Sequence, residues 1–312
     1  MISRFGMAML VAAFVLCLTD GERTPVRAST FGDGMYRKGS PARNHSPLNP
    51  KHALLYAGDQ AQNTVTVYDL STPGAPAVLQ ITDGINSIQV ISLDQNGTLY
   101  VGNNNAKSVT VYPFGATSPT LTMSDGATDP NCIAVAANGT VYVSGRGSPA
   151  VVDIYAPGES SPSQVITSPL ISIPSQAILD SGGTLYVADN ATGVYAFLPG
   201  SNTPISLNLS GLMGASGIAL DERRSRLYVS SVLTPNPYVN AYTIGETQPS
   251  YSMQTVDCDT LAFGDKHFPY LFVPDYFASD VQLYRARGRT PFESLSVTYN
   301  TQGIAYKAPG IP

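Results

Sequence analysis

Four acidic or amide side chains recur at one fixed place in this chain. Asp59, Asn103, Asp189 and Asp275 each stand second after a short apolar-aromatic triplet: Leu55-Tyr56-Ala57, Leu99-Tyr100-Val101, Leu185-Tyr186-Val187 and Leu271-Phe272-Val273. Gly145 and Ser231 hold the same place after Val141-Tyr142-Val143 and Leu227-Tyr228-Val229. A second polar series, Gln89, Asn131, Ser175, Ser216, Asp259 and Gln302, falls two residues before another recurrent apolar strand, typified by Ile133-Ala134-Val135. Oxygen ligands from Asp and Asn suit a hard cation such as Ca²⁺, and Asp59, Asp189 and Asp275 are the carboxylates offered for it. The same groups suit a polar ligand, a channel filled with water, or the turns that Asp and Asn make after strands. These readings stay open at the level of sequence.

Other chemistries are poorly provided. The three histidines, His45, His52 and His267, are scattered, so neither a His-ligated zinc nor a Ser-His-Asp triad is supplied. His267 falls in Asp265-Lys266-His267-Phe268-Pro269, which reads as a hairpin turn. No phosphate-cradling Gly motif occurs, and Gly145-Arg146-Gly147 offers a lone cation beside the Gly145 of the first series. Cys132 and Cys258 fall near equivalent places in the third and sixth repeats. Opposite sides of a six-fold ring exceed the about 7 Å that a disulfide spans, so both are expected as free, buried thiols.

The elements that place these residues follow from the spacing. The triplets begin at 55, 99, 141, 185, 227 and 271, a step of 42 or 44 residues each time. Each unit carries an apolar strand, a turn such as Asn96-Gly97-Thr98, Asn138-Gly139-Thr140 or Gly182-Gly183-Thr184, and then the Leu-Tyr-Val strand. An alternating strand follows, for example Thr64–Tyr68 or Ser108–Tyr112, then a Pro/Gly turn and a weaker fourth strand. Asn-Gly and Gly-Gly accept positive φ cheaply, so tight hairpin turns are expected, and the sequons at Asn96 and Asn138 are read as turns rather than glycosylation sites. Four antiparallel strands per unit, with no helical stretch, make a propeller blade. The first unit lacks its leading strand, and Gly303-Ile304-Ala305-Tyr306 supplies it from the far end. The expectation is an all-β, six-bladed β-propeller whose ring is closed by a C-terminal strand completing the first blade, over residues 51–312.

Composition agrees. The 312 residues include 12% charged residues, 28 Gly, 24 Pro, 18 Tyr and no Trp. Charge is about half the roughly 25% usual in soluble domains, which argues against charge-driven disorder and against a charge-rich helical protein. Residues 51–312 hold eleven Lys/Arg against nineteen Asp/Glu, so the body is near −8 and lacks a basic stripe for nucleic acid. Ahead of it, Met1-Ile2-Ser3-Arg4 precedes fourteen uncharged residues, Phe5 to Leu18. That run suits a signal peptide and falls short of the ~20 residues of a spanning helix. Residues 1–28 are read as a signal peptide or an N-terminal anchor, and 29–50 as a flexible polar linker. The product is then secreted, periplasmic or at the cell surface, with membrane contact only through an uncleaved leader.

The units Ile133–Gly145 (IAVAANGTVYVSG) and Leu185–Phe197 (LYVADNATGVYAF) resemble NHL and YVTN-type propeller repeats over residues 53–308. The absence of Trp argues against WD repeats, and Gly-Gly in only one unit argues against kelch. The resemblance implies an inner strand lining a channel, with the two polar series around one mouth. It is distantly similar to the gluconolactonase and strictosidine synthase-like six-bladed propellers, in which a Glu, an Asn and an Asp hold a divalent ion. Asn131 stands where that family shows Pro-Asn-Gly, and Ser216–Asp221 resembles its Asp-Gly-Leu-Ala-Val-Asp with Ser216 in place of the liganding Asp. No Glu lies near Gly303 or Ala53, and the Glu-Gly-Pro-x-Trp segment is absent; Asp259 is the one substitute ligand on offer. Two functions follow as expectations. The first is an exported, non-catalytic, monomeric scaffold for a protein, a carbohydrate or a small polar ligand; the alternative is a divalent-metal-dependent lactonase or related hydrolase.

Overall fold

A computed structural model describes residues 48–310 apart from 125–127, 147–149, 233, 235 and 298–299. The N-terminal leader, most of the linker and Cys17 lie outside the described residues. Six sheets of four antiparallel strands follow one another along the chain. The inner strands of blades 2 to 6 are Ile88–Leu93, Pro130–Val135, Pro174–Leu179, Ile218–Asp221 and Ala262–Phe263. Blade 1 is built as the sequence leads one to expect. Its inner strand is the tail, Thr301–Lys307, paired antiparallel with Leu54–Asp59, while Thr64–Asp69 and Ala77–Ile81 complete it.

The Leu-Tyr-Val strand is second in every blade and is walled in by the blades on either side. It is therefore buried along its length rather than on alternate residues: all six positions of Leu54–Asp59 and of Arg226–Ser231 are buried. Tyr56, Tyr228 and Phe272 are among the largest fully buried side chains. Outer strands touch only one neighbour and alternate, as in Gln164–Ser168. Burial thus falls from channel to rim.

Antiparallel order sends the connectors between blades and the loops after each second strand to one face, here the upper. The turns after each inner strand gather on the lower face. The Asn-Gly and Gly-Gly turns are tight hairpins as expected, closed by Asp94 N to Thr98 O at 3.1 Å, Ala136 N to Thr140 O at 2.9 Å and Asp180 N to Thr184 O at 3.1 Å. In each the last glycine takes positive φ, 80° at Gly97, 86° at Gly139 and 84° at Gly183, and in the blade 5 turn Ser225 does so at 47°. In blade 2 the Asp94 carboxylate does the rest, accepting from the Asn96 and Thr98 N–H groups at 2.8 Å each. The propeller also starts earlier than residue 51. Leu48 is buried in the blade 1 core, and the Pro50 carbonyl accepts from Lys307 Nζ at 3.0 Å and Gly310 N at 3.1 Å.

Candidate functional site at the upper end of the channel

The series after the Leu-Tyr-Val strands is spent on holding the upper face together. Asp189, fully buried, accepts from Ser172 N, Ile173 N, Ala191 N and Thr192 N at 2.7–3.0 Å, and from Thr192 Oγ1 at 2.8 Å. Asn103 accepts from Asn86 N at 2.8 Å and donates to Thr110 Oγ1 at 2.9 Å. Ser231 Oγ takes the Met213 N–H at 3.0 Å. Asp59 accepts from Gln62 N at 2.9 Å, and Asp275 from Phe277 N at 2.9 Å and Ala278 N at 3.1 Å. In blade 3 the place is held by Gly145 because the connector presses on it: a Cβ there would lie 2.2 Å from Thr128 Cγ2 and 2.7 Å from Asp129 O. Each side chain laces a strand end to its own loop or to the incoming connector. Asp59, Asp189 and Asp275 sit in separate blades, and no three His, Cys, Asp or Glu side chains converge among the described residues.

The other series has a different geometry. Gln89, Asn131, Ser175 and Gln302 are β-bulge residues: the register passes from Ile88 to Val90, Pro130 to Cys132, Pro174 to Gln176, and Thr301 to Gly303 without pairing them. A bulge re-aims a side chain and bends its strand, and four inner strands repeat the device at one level of the ring. Ser175 Oγ donates toward Ser216 O at 2.7 Å, and Ser216 Oγ to Asn190 Oδ1 at 2.6 Å. The remaining members are less committed. Asn131 is 1% exposed, and neither its Nδ2 nor its Oδ1 has a partner among the described residues; Gln302 Oε1 is likewise buried and unbonded among them. Asp259, half-buried ahead of the blade 6 inner strand, has its carboxyl pushed up by burial, partly opposed by the exposed Arg146 guanidinium of blade 3.

One functional residue escaped the sequence reading. Gln176, next to the bulge of blade 4, crosses the channel: its Oε1 accepts from Ile218 N at 2.8 Å and Leu261 N at 2.9 Å, and its Nε2 donates to Leu261 O at 2.8 Å. One carboxamide thus joins the inner strands of blades 4, 5 and 6. A signal for it existed. The equivalent residues are Val90, Cys132, Gly217, Thr260 and Gly303, so Gln176 alone is long and polar. Below it lies a cavity of about 230 Å³ walled by every inner strand, with Ile91, Ile133, Ile178, Ile218, Phe263 and Ile304 contributing one from each blade. None of the bulge residues lines that cavity.

The isolated groups take structural roles. His52 Nδ1 meets Asp69 Oδ2 at 2.7 Å, and the His267 N–H caps Asp265 Oδ1 at 2.9 Å within its turn. Cys132 and Cys258 are buried and unpaired, and burial pushes both thiols up, away from nucleophilic use.

No protein-family model matches the chain, and neither does any curated protein sequence. Solved structures do share the architecture. A chain of a nidogen/laminin complex aligns with a TM-score of 0.66 at 16% identity, covering 81% of this chain and 97% of its own. A protein of unknown function from Bacteroides caccae aligns at 0.63 and 12% identity, covering 82% and 98%. At these identities the likeness is one of fold: a six-bladed β-propeller.

Proposed function

We propose that the chain is an exported, non-catalytic binding scaffold of the NHL/YVTN-repeat kind, with an uncharged, hydrogen-bonding ligand held at the upper end of the channel. The observation that carries this is Asn131. A carboxamide closed to solvent with four unmet hydrogen-bonding capacities costs about 1–3 kcal/mol, which is relieved when it turns out to a ligand that fills them. The bulges at Gln89 and Gln302 present two further amides at the same level of neighbouring inner strands. Amides recognise hydroxyls and peptide groups, which points to a sugar or a short polar peptide rather than an ion. The nidogen/laminin neighbour is consistent with protein recognition on this architecture. Export rests on the Phe5–Leu18 run; among the described residues no helix is long and apolar enough to cross a membrane.

Thermal shift of the full chain against neutral sugars, short peptides and Ca²⁺ tests the reading. A sugar or peptide should raise the melting midpoint, and Asn131→Leu should abolish that rise while melting at or above the wild type without ligand. A shift produced by Ca²⁺ alone, lost in Asp259→Asn, would replace this reading with the metal-dependent one.

A further inference from the structure

Between Glu159 and Asp221 the chain carries two charged side chains, Asp180 and Asp189, and Asp189 is wholly buried. This stretch builds the outer strand of blade 3, all of blade 4 and the connector into blade 5. It also holds six of the eight exposed large apolar side chains among the described residues: Val165, Leu170, Ile173, Leu198, Ile205 and Met213, each 39–60% exposed. Blades 1 and 2 contribute none. Low charge and exposed aliphatic surface therefore coincide in one sector of the ring.

The side chains fall into two groups, one on the upper face and one at the lower end of the outer rim of the same blade. On the upper face the Asn190 N–H donates to Ile173 O at 2.9 Å, Thr192 Oγ1 to Leu170 O at 3.2 Å, and Ala215 N to Asp189 O at 3.1 Å. The 190–192 loop is thereby flanked by Leu170 and Ile173 on one side and by the Met213–Ala215 segment on the other. At the rim, Leu198 and Ile205 bracket the turn between the third and outer strands of the same blade, where Ile205 pairs across from Ala196. The outer strand there is only two residues long, Ile205–Ser206.

We infer that this sector of blades 3 and 4 is the contact face between two copies of the chain, in place of the monomer expected from sequence. The body carries a net charge near −8, so two copies repel wherever acids face each other. Here almost none do. A two-fold contact sets one patch against itself, which an uncharged aliphatic surface satisfies without any matching of signs. Contacts between identical chains are also the most apolar class of protein interface, with charge depleted at their centre. The sector offers no Lys or Arg for an anionic lipid surface and no accessible acid cluster for a basic partner. The inference does not depend on the ligand assigned to the channel.

Light scattering coupled to size exclusion, on the full chain from about 1 to 200 μM, tests it. The wild type should reach the mass of two chains within that range. The double variant Ile205→Lys, Met213→Lys should remain a single chain, its dissociation midpoint moved at least tenfold, with an unchanged melt at low concentration. Phe277→Lys, which charges a 64% exposed aromatic of blade 6 outside the sector, should leave the dimer intact. If the double variant fails to fold, Leu198→Lys alone takes its place. A single-chain mass for the wild type throughout overturns the inference. So does association that survives the double substitution, as an N-terminal apolar run would produce, or association lost equally in Phe277→Lys.

Discussion

Asp189 gathers four backbone N–H groups and a hydroxyl onto a carboxylate that solvent does not reach. Removing it orphans all of them at once, on two connected loops. Asp189→Ala should therefore cost about 2–4 kcal/mol, read as a fall of about 2–4 °C in melting midpoint per kcal/mol, and Ca²⁺ should not restore it. A melt within a degree of the wild type would show that the lacing is dispensable. Asp259 behaves in the opposite sense. Burial raises its carboxyl, and the neighbouring Asp257 is raised by burial and by Asp259 itself. As pH climbs through the ordinary carboxylate range, the unfolded chain gives up these protons before the folded one does, so stability falls with rising pH. Below that range both states are protonated and the effect is gone. Asp259→Asn should melt above the wild type at pH 7.5, with the gap shrinking toward pH 4.5. A gap that widens on acidification would reverse the assignment. Both residues were visible in the sequence as members of six-fold series. Which series was spent on loops was not, because an Asp after a strand reads alike whether it caps N–H groups or meets a ligand.

At the level of the strand, what the sequence made legible was the repeat. A step of 42 or 44 residues, a turn glycine and a Leu-Tyr-Val segment identify a blade whatever its neighbours do. Bulges were not legible, since an inserted residue leaves no mark on composition and only shifts which side chain faces which way. Gln176 is where this matters most. The bulge at Ser175 sets the next residue across the channel, where its carboxamide meets two N–H groups and one carbonyl of edge strands that no neighbouring strand can satisfy. Gln176→Leu keeps the volume and removes the bonds. It should cost about 1–3 kcal/mol and speed amide exchange at Ile218 and Leu261 specifically. Exchange unchanged at those two amides would mean that water already serves them.

The whole molecule depends on closure. A ring of six blades has no terminal blade only if the last element returns to the first, and the tail does this through Thr301–Lys307. Its hold is distributed. Ile304 is buried in the core shared by blades 1 and 6, and Gly303 lies so close to blade 2 that a Cβ would come within 2.8 Å of Ile91 N. Lys307 Nζ reaches the Pro50 carbonyl, clasping the start of the propeller to its end. The low charge of the chain belongs to the same design, since strands buried against two neighbours have no room for ions. Without residues 301–312, Leu54–Asp59 becomes an open edge and two blade contacts fail together. A chain ending at Asn300 should therefore lose its single cooperative melt, with amide exchange accelerating first in blades 1, 2 and 6. Blades 3 to 5 keep their neighbours and should hold protection longest, although a ring opened at one seam also exposes an edge that invites aggregation. A truncated chain that melts in one transition at the wild-type midpoint would mean that six blades stack as an array, with the tail as ornament. The six-residue pairing of tail to first blade argues for the ring.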